Sequence, residues 1–208
     1  QTLAITGAGA SAIVATLSGA SGTVTGTVTG GDGAETLTLT PGASGLMSVS
    51  TGAGNDRVNI SSIAATHTIA GGDGTDTLST SASITTVTGA NISGFETVRV
   101  SGGATVALPS TNTVATFTIA DAGGGTLTNL AASGTVNLTT GGAATVTNTT
   151  GWTGTTDAII VNVGASTGTG STGAGTAAFV TAALIETATI NNWQAATDTT
   201  ARSMGVSG

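Results

Sequence analysis

Gly71-Gly72-Asp73-Gly74-Thr75-Asp76-Thr77-Leu78-Ser79 is the stretch whose reading decides the fold. Its glycines and aspartates are turn residues, and it runs into an alternation of Thr and Leu. Two further stretches align with it upstream. They are Gly30-Gly31-Asp32-Gly33-Ala34-Glu35-Thr36-Leu37-Thr38 and Thr51-Gly52-Ala53-Gly54-Asn55-Asp56-Arg57-Val58-Asn59. The first two starts lie 21 residues apart (30 to 51) and the next two 20 apart (51 to 71). Such a period has room for one solenoid coil of turn, strand, opposite turn and strand. The strands after equivalent turns then stack in parallel. The expected fold is all-β, an elongated parallel β-solenoid.

Outward from these turns the same grammar continues. Thr36–Thr40, Thr97–Val100, Ala115–Ile119 and Thr135–Thr139 alternate apolar and polar residues and are bounded by Gly, Ser, Asn or Asp. This is the pattern of short strands between turns. Only Ala177–Leu184 and Trp193–Ala201 offer any helical periodicity, and both are weak. A second, fainter repeat pairs Asn91–Val100 with Ala182–Ile190, each preceded by an acidic strand start at Asp76 or Asp157. The expected organisation is a solenoid module over 1–101 and a second β-rich module over 102–208 that continues the solenoid.

Composition narrows the function classes. Charged residues are 6% of the 208 and aromatics 2%, against about 25% charged in an ordinary globular domain. Thr, Val and Ile are abundant and suit a pleated surface, which favours ordered β structure over disorder. There is no cysteine, as suits an exported bacterial protein. The net charge is −7, with no Lys and only Arg57, Arg99 and Arg202 as cations. That excludes a basic footprint for nucleic acid. Apolar runs are too short to span a bilayer, so no membrane insertion is expected. Residue 1 is Gln, and the reading is of a mature product or a fragment whose export signal lies elsewhere.

The chemistry sits in the turns. Glycines adopt backbone angles closed to other residues and let carbonyl oxygens converge. Five of the ten acidic residues, Asp32, Glu35, Asp56, Asp73 and Asp76, fall between positions 32 and 76. In a coil of this period they project onto neighbouring turns of one edge. Stacked carboxylates repel, and a bound cation resolves that conflict and couples folding to metal. Calcium, a hard cation wanting about six to eight oxygens in flexible geometry, is the expected cofactor.

The three nonapeptides resemble the G-G-x-G-x-D-x-U-x calcium repeat of RTX proteins. The run GGDGTDTLS followed by GFETVRV resembles crystalline surface-layer (S-layer) proteins of Gram-negative bacteria, which are also rich in Thr, Ala and Gly. The motif likeness covers roughly residues 24–100 and the compositional likeness the whole chain. The resemblance implies a parallel β-roll with calcium between turns, type I secretion, a location on the cell exterior, and self-assembly into a lattice or homo-oligomer. It also makes cell-surface polysaccharide a candidate partner. The metal set that it implies is Gly30, Asp32, Glu35, Thr51, Ala53, Asp56, Gly71, Asp73 and Asp76. Glu35, Asp56 and Asp76 hold the sixth, side-chain position, while Asp32 and Asp73 hold the third, which contributes its carbonyl. Three departures stand out: Glu35 has a longer arm than Asp, Thr51 replaces the first Gly, and Ala53 replaces a polar third residue. The period exceeds that of the family's double-turn coil, so one edge and two inter-turn sites are expected. Two alternatives share these features: a stalk or ligand-binding region of a large RTX adhesin, and the C-terminal β-roll of a secreted RTX enzyme.

The remaining residues point away from catalysis, and the chain is read as a non-enzyme. His67 is the sole histidine and has no companions for a zinc site. No nucleophile elbow with a His partner is present. Glu96 and Glu186 read as carboxylates capping backbone amides at a coil edge, with a further calcium or lattice contact as the alternative. Trp152 and Trp193 read as cap or packing residues.

Overall fold

A computed structural model of the chain describes residues 2–7, 14–18, 25–40, 46–109, 112–139, 143–147, 157–163, 179–183, 186–192 and 203–207. Among the described residues there are nineteen strands and no helix. The fold is an all-β parallel solenoid. Two compact units divide it, residues 1–98 with 107–112 and residues 99–106 with 113–208.

In the first unit β1 (Thr2–Thr6), β3 (Thr25–Thr29), β5 (Leu46–Ala53), β7 (Thr68–Asp73) and β9 (Ile92–Ser93) form one sheet in that order. Between them in sequence, β2 (Val14–Ser18), β4 (Thr36–Thr40), β6 (Arg57–Ile60) and β8 (Thr77–Thr80) line up in a second. Every printed pairing is parallel. One odd strand, the acidic turn and one even strand thus make most of a coil. Thr36 pairs with Arg57 and Arg57 with Thr77, so the coil period is 21 and then 20 residues, as the nonapeptide spacing requires.

Alternation decides which way the side chains point. Val28, Val49, Ile69 and Ile92 are in register across the first sheet and all are buried. Leu37, Val58 and Leu78 form the equivalent row of the second, followed by Leu39 and Ile60. Between these rows lie Thr25, Thr27, Thr29, Ser48 and Ser50, all exposed. Parallel sheets usually bury both faces. Here a solenoid stacks like strand on like strand, so one face stays solvated and takes hydroxyl residues. Few large side chains are needed because the core is one row deep from each sheet.

β10 (Thr97–Val100) and β11 (Thr105–Ala107) contain the boundary between the units. In the second unit β12 (Val114–Ile119), β14 (Leu130–Leu138), β16 (Ala158–Val163) and β18 (Thr187–Asn192) pair in parallel. So do β13 (Gly125–Thr128), β15 (Ala144–Thr147), β17 (Phe179–Ala183) and β19 (Ser203–Ser207). The coils lengthen along this unit: Thr118 aligns with Asn137, Asn137 with Asn162 and Asn162 with Asn191, steps of 19, 25 and 29 residues. The register between β12 and β14 shifts after Val114. Asn129 (φ 67°) and Ser133 (φ 63°) take left-handed angles beside that irregularity, as a bulge requires.

The Ala177–Leu184 stretch corrects one expectation. Its described part, Phe179–Ala183, is strand β17 rather than helix. Pairing of Val180 with Ala144 and with Met204 supplies the ladder that overrides a weak propensity. Residues 193–201, Trp152 and Trp193 lie outside the described residues.

Candidate metal-binding column

The three acidic turns stack on one edge of the first unit. At each, the sixth-position carboxylate accepts the main-chain amide of its counterpart in the preceding coil. Asp56 Oδ1 accepts the Glu35 N–H at 2.7 Å, and Asp76 Oδ1 accepts that of Asp56 at 2.8 Å. The main chain closes the other half of each step: the amides of Arg57 and Thr77 donate to the carbonyls of Glu35 and Asp56, both at 2.8 Å. The acidic position is therefore a rung of the ladder in which a carboxylate replaces a main-chain acceptor.

A fourth carboxylate extends the column. Glu96 Oε2 accepts the Asp76 amide at 2.9 Å, and the Thr97 amide donates to the Asp76 carbonyl at 3.0 Å. This coil has no nonapeptide. β7 pairs Ala70 with Ser93, so Gly94 follows as Gly71 does, and only Phe95 separates it from Glu96. The turn is shortened, Phe95 is fully buried, and the longer Glu arm reaches back where Asp would not. The second unit repeats the device: Glu186 Oε2 accepts the Asp157 amide at 2.8 Å, and the Thr187 amide donates to the Asp157 carbonyl at 3.1 Å. The capping reading of both glutamates, and the pairing of their two sequence repeats, agrees with this geometry.

Capping uses one carboxylate oxygen and leaves the other. Glu35, Asp56 and Asp76 are at most 2% exposed. Both Glu35 oxygens, Asp56 Oδ2 and Asp76 Oδ2 are buried without a hydrogen-bond partner. Asp121, in the second unit, shows the contrast. Its Oδ2 accepts the Gly102 amide at 2.8 Å and its Oδ1 that of Gly123 at 2.9 Å, so it is satisfied as a turn cap. Burial pushes the Glu35 carboxyl above the ordinary range, and the adjacent Asp56 charge pushes it further. Burial pushes Asp76 up as well; the Asp56 amide pulls it back, and the charges of Asp56, Glu96 and Asp73 add to the rise. Arg57, the cation next to the column in sequence, is exposed and donates to Asn59 Oδ1 at 3.1 Å.

The other expected ligands fall in two groups. Asp32 and Asp73 are exposed and stand outside the buried column, because a charged carboxylate with no buried amide to cap stays in water. The Asp73 carbonyl accepts the Gly54 amide at 2.9 Å, and the Ala53 amide donates to the Gly31 carbonyl at 2.8 Å. Gly72 (φ 109°) and Gly74 (φ 140°) hold the turn at angles that side chains resist. Thr51 is buried and its hydroxyl donates to the Gly71 carbonyl. A Cβ on Gly30 would overlap the Thr51 carbonyl oxygen, and one on Gly71 the Gly94 carbonyl oxygen.

Among the described residues no three His, Cys, Asp or Glu side chains gather closely enough to cage an ion. A cation on this edge would need main-chain carbonyls of the turns beside the orphaned carboxylate oxygens, an all-oxygen shell of the kind calcium takes. His67 is buried and its Nδ1 accepts the Ala64 amide at 3.1 Å, a local structural bond. Comparisons with protein-family models, with curated proteins and with solved structures give no match to this chain.

Proposed function

We propose that the chain is a structural, non-catalytic β-solenoid whose acidic edge takes calcium, and that it belongs to a secreted, self-assembling bacterial surface layer. The observation that carries the calcium reading is the buried column of Glu35, Asp56 and Asp76 with its unpartnered oxygens. Burying an ionised carboxylate without a partner costs several kcal/mol, on the order of 2–7 even for a neutral polar group. A divalent cation removes that cost along the whole column, as one proton per site does only at lower pH. The RTX-like turns and the Thr-rich, cysteine-free composition support the placement at the cell exterior. Low calcium inside the cell would leave the column repelling itself, and folding would follow export.

Calcium titration of the chelator-treated chain, followed by circular dichroism and negative-stain electron microscopy, tests this. The expected outcome is a gain of β signal and ordered sheets on adding calcium. Identical spectra and melting with and without chelator would remove the calcium reading. Calcium-bound isolated rods would instead favour an adhesin stalk.

A further inference from the structure

The column is not uniform from level to level, and the first turn position carries the difference. That position is Gly30, Thr51 and Gly71 in successive coils, with Gly94 next in register. Where it is glycine, the missing side chain leaves space directly under a carbonyl of the following coil. Gly30 faces the Thr51 carbonyl oxygen in this way, and Gly71 faces that of Gly94. The space at Gly71 is bordered by a second oxygen: Asp76 Oδ2 lies 2.8 Å from where a Gly71 Cβ would stand. An orphaned, buried carboxylate oxygen and a main-chain carbonyl thus converge on one small gap. On the Gly30 level, Glu35 brings two orphaned oxygens and Asp56 places its charge beside them.

Between these two levels the gap is filled from within. Thr51 puts a Cβ and a hydroxyl where its counterparts have nothing, and the hydroxyl donates to the Gly71 carbonyl. A cation approaching that carbonyl would meet the hydroxyl hydrogen, which points at the same oxygen. A donor and a cation ask the same lone pairs of the acceptor, so one excludes the other.

We propose that cations enter the column at alternate levels, between the first and second acidic coils and between the third and fourth, and that the Thr51 hydroxyl takes the ion's place at the level between. This rests on the calcium reading above and specifies where that reading applies. It moves one of the two expected inter-turn sites from the Asp56–Asp76 level to the level of Asp76 and Glu96. Spacing the ions two coils apart also lowers their mutual repulsion. Adjacent levels would place divalent charges about 4.8 Å apart, and alternate levels roughly double that.

The test is ion stoichiometry, read by isothermal titration calorimetry with calcium and by terbium luminescence, on the whole chain. Wild type takes two ions, Thr51→Ser keeps two, and Thr51→Gly takes three. Glu35→Gln and Asp76→Asn each lower the wild-type count by one. A wild-type count of three overturns the proposal without recourse to any variant, and so does an unchanged count of two in folded Thr51→Gly. Both results would leave calcium binding itself intact. A wild-type count of zero overturns the calcium reading and this proposal together.

Discussion

Asp56→Asn separates the two tasks of the column carboxylates. The substitution keeps Oδ1, so the Glu35 amide retains its 2.7 Å acceptor. It replaces the unpartnered Oδ2 with an NH2 group and removes one charge from beside Glu35 and Asp76. At a separation of about 5 Å and an effective dielectric of about 20, one like-charged neighbour costs roughly 3 kcal/mol. In chelator the variant should therefore be more stable than wild type, by about 2–3 kcal/mol once some relief by protonation is allowed. Calcium reverses the trend. At a hundred times its Kd an ion adds about 2.7 kcal/mol to the form that binds it. The advantage of Asp56→Asn then falls towards zero, and it changes sign at higher calcium. Asp56→Ala is the companion variant: it strips the cap, leaves the Glu35 amide orphaned, and should lose about 1–3 kcal/mol of cap energy. Thermal melts by circular dichroism in EDTA and in calcium read all three proteins. If Asp56→Asn melts below wild type by the same margin in both buffers, the second oxygen carries no charge penalty and the reasoning is refuted.

Three further outcomes follow from the same coordinates. Glu35 and Asp76 titrate above the ordinary carboxylate range in the folded state, so the native chain holds more protons than the unfolded one between the two values. In chelator its stability should therefore rise as pH falls from the raised values towards ordinary ones, and saturating calcium at neutral pH should flatten that slope in pH-resolved melts. Asn162 donates to Asn137 Oδ1 at 2.8 Å and accepts from Asn191 Nδ2 at 2.9 Å; Asn162→Ala should cost about 1–2 kcal/mol in urea unfolding, and a change below about 0.3 kcal/mol would deny the ladder any role. Gly72→Ala forces a side chain onto φ 109° against the Gly52 carbonyl and should cost at least about 1–3 kcal/mol, whereas Ala at exposed Ser48 should stay within about 0.5 kcal/mol.

The first unit was legible because its repeat is strict. A period of 20 or 21 residues fixes both the register and the side on which each acidic residue falls, and Thr36, Arg57 and Thr77 pair accordingly. The second unit hides the same architecture behind coils of 19, 25 and 29 residues. A fixed-period comparison fails there although each strand still alternates. What survives is the asparagine row Asn137, Asn162 and Asn191, whose amides bond from coil to coil; asparagines at matching strand positions were the available signal. Asp32 and Asp73 show the opposite limit. Sequence places them beside the column, but only the course of the turn reveals that both are exposed.

The carboxylate column also shows why the motif alone could not separate a cap from a ligand. Both roles ask for a short acidic side chain at the end of a glycine turn, and in Asp56 and Asp76 they fall to different oxygens of one group. Asp121 has the same side chain in a glycine-rich turn, yet both of its oxygens are taken by amides. The distinguishing quantity is the number of unsatisfied oxygens after the amides are served, which depends on the coil above and the coil below. A level with orphaned carboxylate oxygens and a glycine under a carbonyl has a reason to take a cation. A level where a hydroxyl already bonds that carbonyl has less room for one, and Thr51 is the residue that makes the difference.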